Sequence, residues 1–169
     1  MHTPEEERII SEYQNAIDED VRSFVDGIIN GNDRINYITV AFLSNSAAEE
    51  IEELTGKSVT GNRVVLDANA VRHIIKRHGD SGKQDYSLKD INDLARMGYV
   101  IMNYDKIEFD GVTTTGYLDE NGNPSPMVKI SKRIDGTYYV IEAVSSSKGK
   151  KCYIVTAYIS TNKKQPSNP

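Results

Sequence analysis

Apolar residues recur at steps of three or four from the start of the chain, at Ile10, Tyr13, Ile17, Val21, Phe24 and Ile28. That spacing places them on one stripe of an amphipathic helix. Thr3 is a preferred N-cap, Pro4 suits the first helical position and Glu6 completes a T-x-x-E capping box. The pattern therefore predicts one helix from Pro4 to about Asn30, stopped by Gly31. Arg34–Leu43 (RINYITVAFL) is rich in β-branched and aromatic residues and reads as a strand. Ser46 is placed to cap a short helix, Ala47–Leu54, that ends at Thr55-Gly56. Val64–Leu66 is a strand, Asp67 or Asn69 caps a helix over Ala70–His78, and Gly79 closes it. Asp80–Asp85 is a polar loop, and Ser87 opens a further helix, Leu88–Met97, that ends at Gly98.

From Tyr99 the period changes from 3.6 to two. Tyr99–Asn103, Lys106–Phe109, Thr113–Leu118, Met127–Arg133, Tyr138–Val144 and Lys151–Ile159 are candidate strands. Asp110-Gly111, Asn121-Gly122-Asn123-Pro124, Asp135-Gly136 and Lys148-Gly149 are turn signals between them. Helices come first and hairpins follow, so the expected class is α+β, with N-terminal helices packed on one face of a four- to five-stranded antiparallel meander sheet. Three segments are expected: an acidic N-terminal helix over 1–33, a folded domain over 34–162 and a frayed tail over 163–169. The first helix either packs on the domain or is the remnant of a linker.

Composition changes this picture little. With 169 residues, 38% hydrophobic and 27% charged, the chain is long enough for one domain with a real core. No apolar run reaches the length of a membrane span, and no signal peptide is read at the start. The single cysteine, Cys152, lies in an apolar alternating run and reads as a core residue. Charge changes the picture more. Residues 1–63 carry 5 Lys and Arg against 13 Asp and Glu, a balance of −8, whereas residues 64–169 carry 15 against 12, a balance of +3. From Met127 onward the balance is 8 against 2, or +6. The C-terminal half can therefore meet a polyanion, or else these are solvated lysines.

Two of the three histidines, His73 and His78, fall in the helix that ends at Gly79. Val71, Ile74, Ile75 and His78 follow helical spacing, so His78 sits on the buried stripe at the last turn, while His73 and Arg77 form an i, i+4 pair on the other side. A helix C-terminus favours a cation, which suits His78 to proton transfer near neutrality, or to simple capping at the core edge. A zinc site is not expected, because the two rings point different ways and no Cys/His cluster accompanies them. Along Lys151–Ile159, alternation groups Cys152, Ile154, Thr156 and Tyr158 on one face and Tyr153, Val155, Ala157 and Ile159 on the face toward the helices. Lys129, Ser131 and Arg133 share a face of Met127–Arg133. Glu142 stands mid-strand in an apolar run, where a carboxylate needs either a substrate or an ion pair with Lys129 or Arg133.

A histidine to move protons, a lysine or arginine to neutralise a phosphorane and hydroxyls to hold phosphate oxygens suit RNA cleavage by the substrate's own 2′-hydroxyl. Such a reaction needs no metal or other cofactor.

The segments YITVAFLS, AAEEIEELTG, VVLDANAVRHIIKRHG and DGTYYVIEAVSSSKGKKCYIVTAY resemble the phage and prophage nuclease domains of the barnase–EndoU–colicin–RelE superfamily. Such domains are found at the C-terminus of Mu F-like head-morphogenesis proteins and in polymorphic toxins. The resemblance runs from about Tyr37 to Ser160, and its most specific pieces are H-I-x-x-R-H-G at His73–Gly79, E-x-V at Glu142–Val144 and T-A-Y at Thr156–Tyr158. It implies a metal-independent ribonuclease toxin that cuts RNA, with tRNA one candidate target, to a 2′,3′-cyclic phosphate on the open face of the sheet. The expected catalytic residues are His78, His73, Lys129, Thr156 and Tyr158, with Arg77, Ser131, Arg133 and Glu142 binding substrate. An immunity protein is the expected partner besides RNA, on the basic C-terminal face. The expected place of action is the cytoplasm of a target bacterium, reached with a phage particle or as part of a larger secreted toxin. Two other readings remain: a non-catalytic structural or nucleic-acid-binding module, and an ADP-ribosyltransferase, whose activating glutamate would have to be Glu142.

Overall fold

In the computed structural model, six strands form one open sheet. They are β1 (Tyr37–Phe42), β2 (Arg63–Asp67), β3 (Lys106–Val112), β4 (Pro126–Arg133), β5 (Thr137–Ala143) and β6 (Lys151–Ser160). The structure describes residues 1–32, 36–79, 82, 85, 87–114, 116–145 and 151–161. The strands lie in the order β1-β2-β6-β5-β4-β3, and every neighbouring pair is antiparallel except β2 with β6. The class is α+β as the pattern implied. β3 to β6 are the meander, and the β1–β2 pair extends it to six strands by parallel pairing on β6.

Five helices, α1 (Pro4–Gln14), α2 (Glu19–Ile29), α3 (Asn45–Thr55), α4 (Ala68–His78) and α5 (Met97–Met102), accompany the sheet. Val25, Ile51, Val71, Ile74, Leu94 and Met97 meet Val64, Leu66, Val128, Ile130, Val140 and Ile154 in one core. The opposite face of the sheet carries Val65, Ile141 and Ala143 among tyrosines, lysines and hydroxyls and is left open.

The N-terminal helix is two helices, not one. Its apolar stripe does continue through Ile17, but the Asp18 carboxylate accepts hydrogen bonds from the backbone of Asp20 and Val21, which starts a second helix. α2 then buries Val21, Phe24, Val25 and Ile28 in the common core, so it is packed on the domain. α3 starts two residues earlier than the sequence suggests, because Ser44 rather than Ser46 caps it.

The largest departure lies between residues 87 and 103. Asp90 caps a 3₁₀ turn, Ile91–Arg96, which runs into α5, so Tyr99–Met102 is helical, with Asn103 as its cap, rather than a strand. Gly98 does not end a helix. A β-carbon there would stand 2.6 Å from the Val40 carbonyl oxygen, so glycine lets α5 cross β1 closely. Asp110-Gly111 lies inside β3 at a slip in register between Phe109 and Val112, not in a hairpin turn. The described residues of 113–118, which leave out Thr115, form no strand. They belong to a loop that folds on itself through Thr113–Ser125 and Ser125–Tyr117 backbone hydrogen bonds. Lys148-Gly149 lies outside the described residues.

β6 carries the feature that positions the site. Thr156 pairs with Ile141, while Ile154 pairs with Glu142, so two residues of β6 oppose one step of β5. This is a β-bulge at Val155, and it reverses the alternation. Cys152 and Ile154 point into the core, whereas Thr156 and Tyr158 point to the open face, with Tyr153 on that face too. The four residues grouped by alternation therefore divide between opposite faces.

Candidate active site

α4 begins at Ala68, directly after β2, with the Asp67 carboxylate accepting from Ala70 N at 2.7 Å. β2 pairs with β6 only as far as Tyr153, and α4 packs against β6 in its place. Val71 and Ile74 anchor the helix in the core, which sets His78 at its last turn, 5% exposed. The chain then doubles back. Asp85 N donates to the Arg77 carbonyl and Leu88 N to the His78 carbonyl. A β-carbon at Gly82 would lie 2.3 Å from the Asp85 carbonyl oxygen, so this return requires glycine.

The return places a carboxylate on the histidine. His78 Nδ1 is 3.0 Å from Asp85 Oδ2, and Asp85 Oδ1 accepts from Ser87 N at 2.9 Å. Burial opposes ionisation of Asp85, but the hydrogen bonds from Ser87 and His78 outweigh it and hold the carboxyl below its ordinary value. Ser87, read from the sequence as a helix cap, is instead a clamp: its Oγ accepts from Ile159 N at 3.0 Å, tying the loop to the free flank of β6. Nδ1 being engaged by the carboxylate, Nε2 is the ring nitrogen left for a substrate.

On the sheet, the His78 ring stacks on Tyr158 with centroids 5.3 Å apart. Tyr158 meets Tyr139 at 5.1 Å, and Lys129 Nζ lies 5.5 Å from the centre of the Tyr139 ring. Burial, then the neighbouring Tyr139, Asp110 and Asp85, push the Tyr158 phenol above its usual value, so it remains a neutral donor. His73, Arg77, His78, Asp85, Thr156 and Tyr158 line one open pocket of about 350 Å³. Thr156 Oγ1 is buried there with no hydrogen-bond partner among the described residues, as expected of a hydroxyl held for a ligand. The His73 pKa is lowered, first by burial and then by Arg77, His78 and Lys76, so its ring is neutral at neutral pH.

Five of the nine residues singled out from sequence thus border one pocket, both histidines included. The helix wheel set the two rings apart, yet the pocket spans the end of α4 and takes one from each side. Lys129 and Ser131 lie on the same open face, facing Ile141 and Tyr139 across the β4–β5 pair. Arg133 is at the end of β4, its backbone bound to Asp105, and does not line the pocket. Glu142 does not line this pocket. It pairs with Val128 and Ile154 on the core face and is fully buried, and among the described residues neither carboxyl oxygen has a hydrogen-bond partner, so no ion pair with Lys129 or Arg133 forms. An ADP-ribosyltransferase therefore lacks the glutamate it was assigned. Asp85 was read from the sequence only as the end of a polar loop, and Gly79 and Gly82 before it were the signals of a turn. Among the described residues, no group of three or more His, Cys, Asp or Glu could hold a metal ion.

Asp85→Asn should lower turnover on the order of 10²-fold or more, because an amide no longer holds a proton on Nδ1 and so no longer keeps Nε2 as the nitrogen that exchanges a proton with substrate. Nitrogen-15 shifts of the His78 ring should show one tautomer in the native protein and a mixture in the variant. An unchanged tautomer with reduced activity would remove Asp85 from this role.

The family model described as phage-Barnase-EndoU-ColicinE5/D-RelE like nuclease 3 matches residues 42–167. The chain belongs to this nuclease family. The match takes in β1's last residue, the whole of α4, the return loop and β3 to β6, and so every residue of the pocket. α1 and α2 lie outside it. No curated protein and no solved structure matches the chain.

Proposed function

We propose that this nuclease is a metal-independent endoribonuclease toxin. The observation that carries the reading is the convergence of two histidines, one neutral and one bound to a carboxylate, on a single pocket floored by Thr156 and Tyr158. Neutral His73 takes the proton from the ribose 2′-hydroxyl, whose oxygen attacks the adjacent phosphorus. The P–O5′ bond breaks, and His78 Nε2 gives its proton to the leaving 5′-oxygen. The products are a 2′,3′-cyclic phosphate and a 5′-hydroxyl end. Arg77 and Lys129 offset charge on the phosphoryl oxygens, Thr156 Oγ1 and the Tyr158 phenol donate to them, and Ser131 and Arg133 contact the strand farther along β4. In a cell the targets would include tRNA, and an immunity protein would cover the basic C-terminal half. The site of action would be the cytoplasm of a bacterium entered with a phage particle or through a larger toxin.

The test is to incubate purified protein with end-labelled RNA in EDTA and identify the new ends. Cyclic phosphate and 5′-hydroxyl termini are expected, with an oligonucleotide carrying a single 2′-deoxy sugar at the cut step left intact. Equal cleavage of DNA, or loss of cleavage on chelation, would overturn the reading.

A further inference from the structure

A second pocket, larger than the one around His78, lies on the same open face. It has a volume of about 570 Å³ and is bordered by Asp67, Asn69, Tyr117, Ser125, Ala143 and Tyr153, among others. We propose that it is a subsite that stacks one unpaired nucleobase of the RNA strand on Tyr153, away from the cut. This inference rests on the ribonuclease reading above.

Four observations carry it. First, Tyr153 is on the open face of β6, and its β5 partner Ala143 is four residues from Tyr139, the partner of Tyr158, so the two tyrosines stand roughly 13 Å apart along the sheet. That separation belongs to successive parts of one extended ligand. Second, the wall opposite is also aromatic and is held in place. Tyr117 meets Tyr153 with centroids 5.6 Å apart, and its hydroxyl donates to Asp67 Oδ2 at 3.1 Å. Burial first, then Asp67, push the Tyr117 phenol above its ordinary value, so this hydrogen bond keeps its proton. Third, the charge in the pocket selects a base over a phosphate. The N-terminus of α4 would otherwise draw an anion, but the Asp67 carboxylate occupies it. A neutral ring with N–H donors on its edge suits an acceptor-rich site, and aromatic stacking accepts any base. Fourth, cations stand just outside. Arg63 and Lys151 lie over the ring of Tyr37 at 5.9 and 5.3 Å, and a smaller pocket of about 340 Å³ joins Tyr37 to Asp67, Asn69 and Tyr153. The groove thus alternates aromatic floor and basic rim, as a single-stranded nucleic acid requires.

Asp67 links the subsite to catalysis physically. Its two oxygens hold both the first turn of α4 and the Tyr117 ring, and α4 ends at His78. A base seated on Tyr153 therefore fixes the strand against the same helix that carries the proton-transfer groups.

The experiment is an abasic scan. A non-cleavable 2′-O-methyl oligoribonucleotide is made with one base removed at each position in turn, and binding to the intact protein is measured by fluorescence anisotropy. Removal of one base several nucleotides from the cut step should weaken binding about 5- to 150-fold, the range of a single base–aromatic stack. In Tyr153→Ala the intact oligonucleotide should lose a similar factor, and the abasic position should then have no further effect. Tyr153→Phe should bind as the native protein does. Should Tyr153→Ala fail to fold, photocrosslinking of 5-iodouridine at the sensitive position in native protein should label a peptide containing Tyr153 or Tyr117. A flat scan in a protein that cleaves RNA, a full abasic penalty in Tyr153→Ala, or crosslinks confined to Tyr139 and Tyr158 would each overturn the subsite and leave the ribonuclease standing. A protein that neither cuts nor binds RNA would overturn both.

Discussion

His78→Ala should reduce RNA cleavage by about 10²- to 10⁴-fold while the protein stays folded. The ring is removed from a buried position where it stacks on Tyr158 and binds Asp85, so some loss of stability accompanies the loss of activity. That loss is limited. The Asp85 side chain is 39% exposed and can be solvated once its partner is gone. A cost on the order of 1–3 kcal/mol would lower the melting temperature by several degrees, not abolish the fold. If His78 served only to finish α4, the variant would melt lower and cut RNA at the native rate. The pH profile separates the two histidines. His73 must be neutral to accept the 2′-hydroxyl proton, so the rate rises with pH through its lowered pKa, and the acid limb lies below the ordinary histidine value of about 6.5. His73→Ala should lower the rate and erase that limb. An acid limb unchanged in His73→Ala would assign the base elsewhere.

The elements legible in the sequence were those whose signals are local. The capping box at Thr3, the cap at Asp67 and the glycine after His78 each act within one turn, and α1 and α4 start where those residues stand. Strands β4 to β6 showed period-two alternation and a turn at Asp135-Gly136. What failed depended on partners far away in the chain. The bulge at Val155 is a mismatch between β6 and β5, and nothing within β6 announces it, yet it sends Cys152 and Ile154 to the core while Thr156 and Tyr158 keep the face that alternation gave them. The helix through Gly98 is set by its approach to the Val40 carbonyl, and an isolated Met-Gly-Tyr-Val-Ile run reads equally as a strand. Asp85 is seven residues from His78 and past the end of α4, where helical periodicity no longer applies. The two histidines of the pocket were legible because they lie on a helix, and the Asp85 carboxylate and Ser87 clamp were not because they do not.

Glu142 shows how much one face reversal matters, and it carries the largest expected change in stability. A carboxyl on the open face would be a substrate ligand; on the core face it is an unpartnered acid. Burial raises its pKa from 4.5 to about 8. In the unfolded chain it releases its proton near the ordinary value, so between roughly pH 4.5 and 8 the folded state holds a proton that the unfolded state has lost. Stability is therefore greatest at the acid end of this window and falls as pH rises, by up to about 1.4 kcal/mol per unit. By pH 7 that is on the order of 3 kcal/mol, a large part of a small domain's stability. Glu142→Met keeps a similar volume and removes the titration, so it should flatten the curve of melting temperature against pH and stabilise the protein most at pH 8 and above. Glu142→Gln should flatten the curve as well but gain less, because its amide is left without partners in the core. Both variants should cut RNA at the native rate, since the side chain faces away from His78 and Tyr158. Melting curves of native protein and Glu142→Met that run parallel from pH 5 to 9 would show that the carboxyl is solvated or paired after all.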